Sequence, residues 1–117
     1  MTKMKSTTNF KKGDIILVPF PFTDLSTNKK RPALIVSPDN YNTGVDVVIA
    51  FITSNISSSY KLGDYKIQEW KRSNFPKPSM LRMKFATIDV TIIHRKLGEL
   101  GIRDSKEFGK LLIEFFS

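Results

Sequence analysis

The sequence predicts a mainly β domain, α+β in class, in which short strands form a small barrel and one amphipathic helix packs on its outside. Three observations predict it. Short runs rich in Val, Ile and Leu recur between clusters of turn formers. From Met80 apolar residues alternate with cations, the period of a half-buried strand. Only the end of the chain changes period: Phe108, Leu111, Leu112 and Phe115 fall at i, i+3, i+4 and i+7, a helical stripe. The chain has 117 residues, is 40% hydrophobic and carries nine Phe, enough to bury one core. A single domain over residues 1–117 is expected, with 1–12 as a loose basic lead-in.

The elements follow in order. Gly13-Asp14 opens the first strand, Ile15 to Val18, and Pro19 stops it. Its near-continuous apolar content predicts burial on both faces. PFPFTDLSTNKKRP, from Pro19 to Pro32, has no period, is rich in turn formers and reads as one long loop. The second strand covers Ala33 to Val36, SPDNYNTGVD is a turn, and the third strand covers Val47 to Thr53. ISSSYKLG is a polar loop. Tyr65 to Trp70 alternates and reads as an edge strand, which KRSNFPKP ends. In the strand Met80 to Phe85, Leu81, Met83 and Phe85 share one face, while Met80, Arg82 and Lys84 share the other. A last strand covers Ile92 to Leu97. Asp104 and Glu107 then have the spacing of a capping box at the helix start, with Asp replacing the usual Ser or Thr.

The formal net charge is +8, which favours an anionic partner: nucleic acid, an acidic protein or, less well, a membrane surface. There is no cysteine, which excludes disulfides, Cys-ligated zinc and a thiol nucleophile. The start, MTKMKSTTNFKK, is polar and basic, unlike a secretory signal, and runs such as Val47 to Ile52 are too short to span a bilayer. A soluble cytoplasmic protein with no membrane contact is expected. Asp14, Asp24, Asp39, Asp46 and Asp64 are scattered, with no HExxH or paired acidic motif. Walker A, GxGxxG and GxSxG motifs are also missing, so no metal or other cofactor is expected.

The densest positive charge, Lys29, Lys30 and Arg31, stands directly before Pro32 and an apolar strand. It is either a solvated loop or a phosphate site. Arginine's planar fork grips two phosphate oxygens at once, and Pro32 biases Arg31 away from helix. Thr53 and Ser54 either end their strand by bonding their own backbone or donate to a phosphate oxygen. Phe20 and Phe22 either pack in the core or stack a base. Arg82 and Lys84 face solvent or a ligand, and Asp24 orients Arg31 or sits in a turn. His94, the sole histidine, reads as structural within the last strand.

KKGDIILVPFPFTD, KKRPALIVS, VVIAFITSN, KPSMLRMKFATID and RKLGELG stand in the order and spacing of the MazF/PemK-like toxins, and over roughly residues 11–116 the chain resembles that family. The resemblance implies an SH3-like barrel, usually a homodimer, and a toxin of a type II toxin–antitoxin pair. It implies an endoribonuclease that cuts single-stranded RNA without metal, using the substrate's 2′-OH and leaving a 2′,3′-cyclic phosphate and a 5′-OH. The family's catalytic arginine, in its RP motif, falls on Arg31, and its second active residue falls on Thr53, followed by Ser54. Lys29, Lys30, Phe20, Phe22, Ser79, Arg82 and Lys84 are then candidate substrate contacts, with Asp24 as a candidate orienting acid. The implied partner is an acidic antitoxin that folds into the basic groove, and the pair would bind DNA in autoregulation.

The chain departs from the better-known toxins in its first loop, PFPFTDLSTNKK, which lacks a glycine-rich stretch and a glutamate before the arginine. An acid–base role of such a glutamate has no evident counterpart here, unless Asp24 substitutes. The loop NISSSYKLGDY differs as well, so cleavage specificity does not transfer. Two other readings stay open: a non-catalytic RNA- or protein-binding module of the same fold, and a gyrase-targeting toxin.

Overall fold

Strands that are apolar at every position must be covered on both sides, and that requirement builds this molecule. The computed structural model describes residues 10–19, 29–56 and 61–117. The strands are β1 (Asp14–Pro19), β2 (Lys30–Ile35), β3 (Asp46–Thr53), β4 (Tyr65–Lys66), β5 (Met80–Asp89) and β6 (Arg95–Glu99). The helices are α1 (Asp39–Asn42) and α2 (Ile102–Phe115), with a 3₁₀ turn at Val90–Ile92. The strands form one sheet in the order β4-β5-β3-β2-β1-β6, antiparallel at every pairing. The sheet curls into a half-barrel with α2 against it, the mainly β, SH3-like architecture expected.

Neighbouring residues on the central strands serve opposite faces. Ile15, Leu34, Ala50, Ile52 and Leu81 join Phe108 of α2 in one core cluster. Ile16, Val18, Ala33, Ile35, Val47, Ile49 and Ile88 form the other. β1 is therefore buried on both faces, as its composition predicts. Gly13, at φ +94°, makes the turn into β1, and Asp14 holds that turn by accepting the Lys11 amide (2.9 Å).

Several boundaries differ from the sequence expectation. β2 begins three residues early, because Arg31 pairs with Val18 and Pro32 with Leu17 on β1. Lys30 and Arg31 thus stand on a strand, with Lys29 just before it, and not in a loop ending at Pro32. β2 pairs with β3 only from Ala33 onward, so Pro32 lies where one side of the ladder has already parted, a position that tolerates proline. The turn 37–46 contains α1, held by Asn42, whose side-chain amide donates to the Ser37 carbonyl (3.1 Å). β5 runs four residues past Phe85, because its partner β3 continues back to Asp46. Asp89 then caps the 3₁₀ turn by accepting the Thr91 amide (2.8 Å), which delays β6 to Arg95. His94 lies just outside β6, with its side chain exposed and its amide donating to the Leu17 carbonyl (2.8 Å).

The largest correction concerns Asp104. The capping-box spacing is coincidental: Gly101 is the N-cap, with no side-chain capping bond. Asp104 turns inward and is fully buried. It accepts the Tyr65 hydroxyl (2.5 Å) and the amides of Gln68 (2.9 Å) and Glu69 (3.0 Å). Those two amides are why the expected strand Tyr65 to Trp70 stops at Lys66: the chain turns to reach the carboxylate. The helical stripe is partly borne out, with Phe108 buried and Leu111 and Leu112 packed on the core, while Phe115 is 41% exposed.

Burial, then hydrogen bonds to Asp104 and Glu107, push the Tyr65 phenol far above its ordinary range. Because the folded pKa is raised, this stabilisation is complete below the unfolded pKa of about 10 and is lost as pH rises beyond it. Denaturant melts of Tyr65→Phe are expected to show a shallower alkaline loss of stability than the parent; identical slopes would contradict the assignment. Asp104→Ala, which strands the Gln68 and Glu69 amides and leaves the Tyr65 hydroxyl only Glu107, is expected to cost about 2–4 kcal/mol in the same assay at neutral pH.

Candidate active site

The parting of β2 from β3 makes the site. Their shared register, Ala33 opposite Phe51 and Leu34 opposite Ala50, would carry on to set Arg31 opposite Thr53. The ladder ends first, and a pocket of about 170 Å³ opens between the two strand ends. Val18, Pro32, Ala33, Ile49, Phe51 and Ile52 supply its apolar lining, and Arg31, Thr53, Arg82 and Lys84 its polar groups. Ala33 and Ile49 belong to the core, so the pocket floor is an exposed end of the packed interior.

A bulge brings in the last two cations. β3 and β5 pair Ala50 with Phe85 and then Ile52 with Leu81, so Phe51 alone stands against Arg82, Met83 and Lys84. A bulge of this kind bends the strand and re-aims its side chains. Met83 packs on the helix-side core, and alternation sends Arg82 and Lys84 to the opposite face, into the pocket. The Lys84 ammonium sits 5.4 Å from the centre of the Phe51 ring, a cation–π distance. Arg82 pairs with Asp64 at 3.4 Å.

Thr53 does two things. Its Oγ1 accepts the Asn55 amide (3.1 Å), the strand-ending bond anticipated for it. A hydroxyl that accepts this bond keeps its own proton for donation, and the residue lines the pocket. The bland and the functional readings of Thr53 are therefore compatible.

Of the residues selected from sequence, the fold gathers Arg31, Thr53, Arg82 and Lys84 into one pocket. Ser54, Lys29 and Lys30 are exposed nearby in the chain but do not line it. Strand alternation puts Lys30 on the face opposite Arg31. Ser79 is buried away from the pocket, its hydroxyl donating to the Lys77 carbonyl (3.0 Å). Phe20, Phe22 and Asp24 lie outside the described residues, as do most of the first loop and residues 57–60. Phe51 was not selected, although its place two residues before Thr53 on one strand puts both on the same face. Among the described residues, no group of three or more His, Cys, Asp or Glu side chains is placed to hold a metal ion. No helix among them is long and apolar enough to cross a membrane.

A curled antiparallel half-barrel with a cationic strand-end pocket defines the class: an SH3-like barrel with a cleft lined by arginine and lysine. Over residues 11–116 the chain matches the family described as PemK-like, MazF-like toxin of type II toxin-antitoxin system. It belongs to that family. No curated protein sequence matches it significantly. Solved structures share the fold at low identity. An endoribonuclease in complex with its cognate antitoxin, from a mycobacterial species, superposes with a TM-score of 0.71 at 15% identity, covering 94% of this chain and 95% of that one. A MazE–MazF structure from Deinococcus radiodurans gives 0.72 at 17% identity, covering 94% and 97%. A second mycobacterial endoribonuclease gives 0.72 at 17%, covering 96% and 95%.

Like charges gathered in one pocket repel, and salt screens them. Thermal stability is expected to rise from about 50 to about 500 mM salt, and Lys84→Ala is expected to flatten that rise. A Lys84→Ala variant with the parent's salt dependence would show that the cluster is already neutralised.

Proposed function

We propose that this protein is an endoribonuclease toxin that cleaves single-stranded RNA without a metal and is neutralised by an acidic antitoxin. Family membership supports the class. The observation that carries the reading to this chain is the pairing of Arg31 and Thr53 at facing strand ends, inside a pocket that also holds Arg82 and Lys84.

The chemistry asks little of the protein beyond charge and position. The RNA 2′-oxygen attacks the adjacent phosphorus and loses its proton. The bond from phosphorus to the 5′-oxygen breaks, and that oxygen gains a proton. The products are a 2′,3′-cyclic phosphate and a 5′-OH. Negative charge builds on the non-bridging oxygens in between, and fixed donors aimed there lower the barrier. In this reading Arg31 holds those oxygens with its fork, and Thr53 donates its hydroxyl to one of them or keeps the 2′-OH in line. Arg82 sets a second cation beside the cleaved phosphate, Lys84 draws in the strand, and Lys29 and Lys30 attract the flanking phosphates. The Phe51 ring and its apolar neighbours form the pocket floor, and a phosphate seated on it would lose part of its water, which strengthens each charge contact.

The +8 charge suits an acidic antitoxin as well as RNA. The antitoxin would fold over the same basic face and block it, and the pair would bind DNA to regulate its own expression. We place the toxin in the cytoplasm, as a homodimer.

The test uses a long mixed-sequence single-stranded RNA that contains every short motif, incubated in EDTA with the parent and with Arg31→Ala, followed by end mapping. Discrete cuts with cyclic-phosphate and 5′-OH ends are expected. Arg31→Ala should raise the barrier by about 2.7–4 kcal/mol, or roughly 10²–10³ in rate. Intact RNA from the folded parent would favour a non-catalytic binding module instead.

A further inference from the structure

Resting on the ribonuclease reading above, we propose that Asp64 is a positioning residue for that site: it acts through Arg82 to fix the cationic wall against which the cleaved phosphate is held.

Asp64 lies outside the Arg31–Thr53 pocket and holds its turn as Asp14 holds the turn into β1, but it also pairs with an arginine that lines that pocket. Its side chain is 2% exposed, although it sits in a turn at the sheet edge. One carboxylate oxygen, Oδ2, accepts the Lys61 amide (2.8 Å) and pairs with Arg82 Nη1 (3.4 Å). That single atom therefore ties the turn 61–64 to the bulged segment of β5. Arg82 is 19% exposed and lines two adjoining cavities. One is the pocket of Arg31 and Thr53, and the other is walled by Lys61, Leu62, Asp64 and Phe115. The carboxylate lines only the second of these cavities, so Arg82 links it to the first.

Two physical arguments give this arrangement a purpose. Arg31, Arg82 and Lys84 converge on one small pocket, and their mutual repulsion would spread an untethered guanidinium into solvent. A buried carboxylate offsets part of that repulsion and restrains the long arginine side chain in one geometry. The entropy of ordering Arg82 is then met before substrate arrives, so more of its interaction is available in the transition state. The bulge supplies the second argument. It re-aims Arg82 but leaves β5 locally without a regular ladder to β3, so the segment needs another anchor. The turn provides it: Gly63 has φ +88°, and a Cβ there would fall 2.5 Å from Met83 Cγ, so this turn is pressed against the bulge itself.

The role predicts a specific kinetic pattern. A residue that only supports the fold would lower stability and leave the folded fraction fully active. A positioning residue lowers the cleavage step while RNA affinity holds, and its effect vanishes once Arg82 is gone. The experiment is a double-mutant cycle on the full chain. It comprises the parent, Asp64→Asn, Arg82→Ala and the double variant, with Asp64→Ser as a second substitution that keeps an acceptor for the Lys61 amide. Single-turnover cleavage at saturating RNA is read beside affinity for an RNA blocked by 2′-deoxy substitution, and each variant is melted to measure its folded fraction.

The expected result is a loss of about tenfold or more in cleavage rate for Asp64→Asn and Asp64→Ser, with affinity within about threefold of the parent. In the Arg82→Ala background either Asp64 substitution should cost less than about twofold. Independent, multiplying losses would overturn the proposal, as would Asp64 variants that cleave at the parent's rate. A parent that cuts no RNA would overturn the ribonuclease reading and this inference with it. A parent that cuts, beside indifferent Asp64 variants, would overturn the inference alone.

Discussion

The two-sided burial of the central strands governs where this protein can carry chemistry. On β1, β2 and β3 successive side chains enter opposite core clusters, so no face of the sheet's middle is left for polar groups. Charge and hydroxyls are confined to strand ends and bulges, where the ladder stops. The pocket arises at such a place. β2 keeps its pairing to β1 through Lys30 but leaves β3 after Ala33, and the gap receives Arg31 and Thr53 from facing ends. A rigid, doubly packed scaffold is what allows residues on two separate strands to be presented to one pocket.

The edge beyond β3 is built by different means. β5 breaks its ladder to β3 where Arg82 and Lys84 enter the pocket, and β4 is only two residues long. Stability there comes from polar anchors more than from ladders. Asp104 reaches from α2 to gather Tyr65, Gln68 and Glu69, and Asp64 joins the preceding turn to Arg82. Each buried carboxylate accepts several donors, which is the condition under which burying one is tolerable. Of the two, Asp64 reaches a cation of the pocket, and it does so from beneath the surface.

Much of the fold was legible in the sequence because two periods carry it. The apolar runs located β1 and β3 to within a residue or two, and the stripe through Phe108, Leu111 and Leu112 located α2. The failures share a cause. Lys30, Arg31 and Pro32 look like loop residues, but antiparallel pairing with β1 draws them into β2, and local composition cannot report that. Asp104 has the local spacing of a cap, yet distant donors on residues 65–69 claim it. At the site, Arg31 and Thr53 were found through motif resemblance, and Arg82 and Lys84 through alternation. Phe51 was available to the same alternation argument. Asp64 was not, since nothing in GDYKI reveals that its acid is buried against an arginine eighteen residues on.

The claim on which the account rests is that RNA is held where β2, β3 and β5 end together. Chemical-shift mapping with a single-stranded RNA blocked against cleavage by 2′-deoxy substitution tests it most directly. Perturbations are expected to concentrate at Arg31, Phe51, Thr53, Arg82 and Lys84, with the outer face of α2 unaffected. Perturbations centred on α2 or β6, with the pocket residues silent, would contradict it.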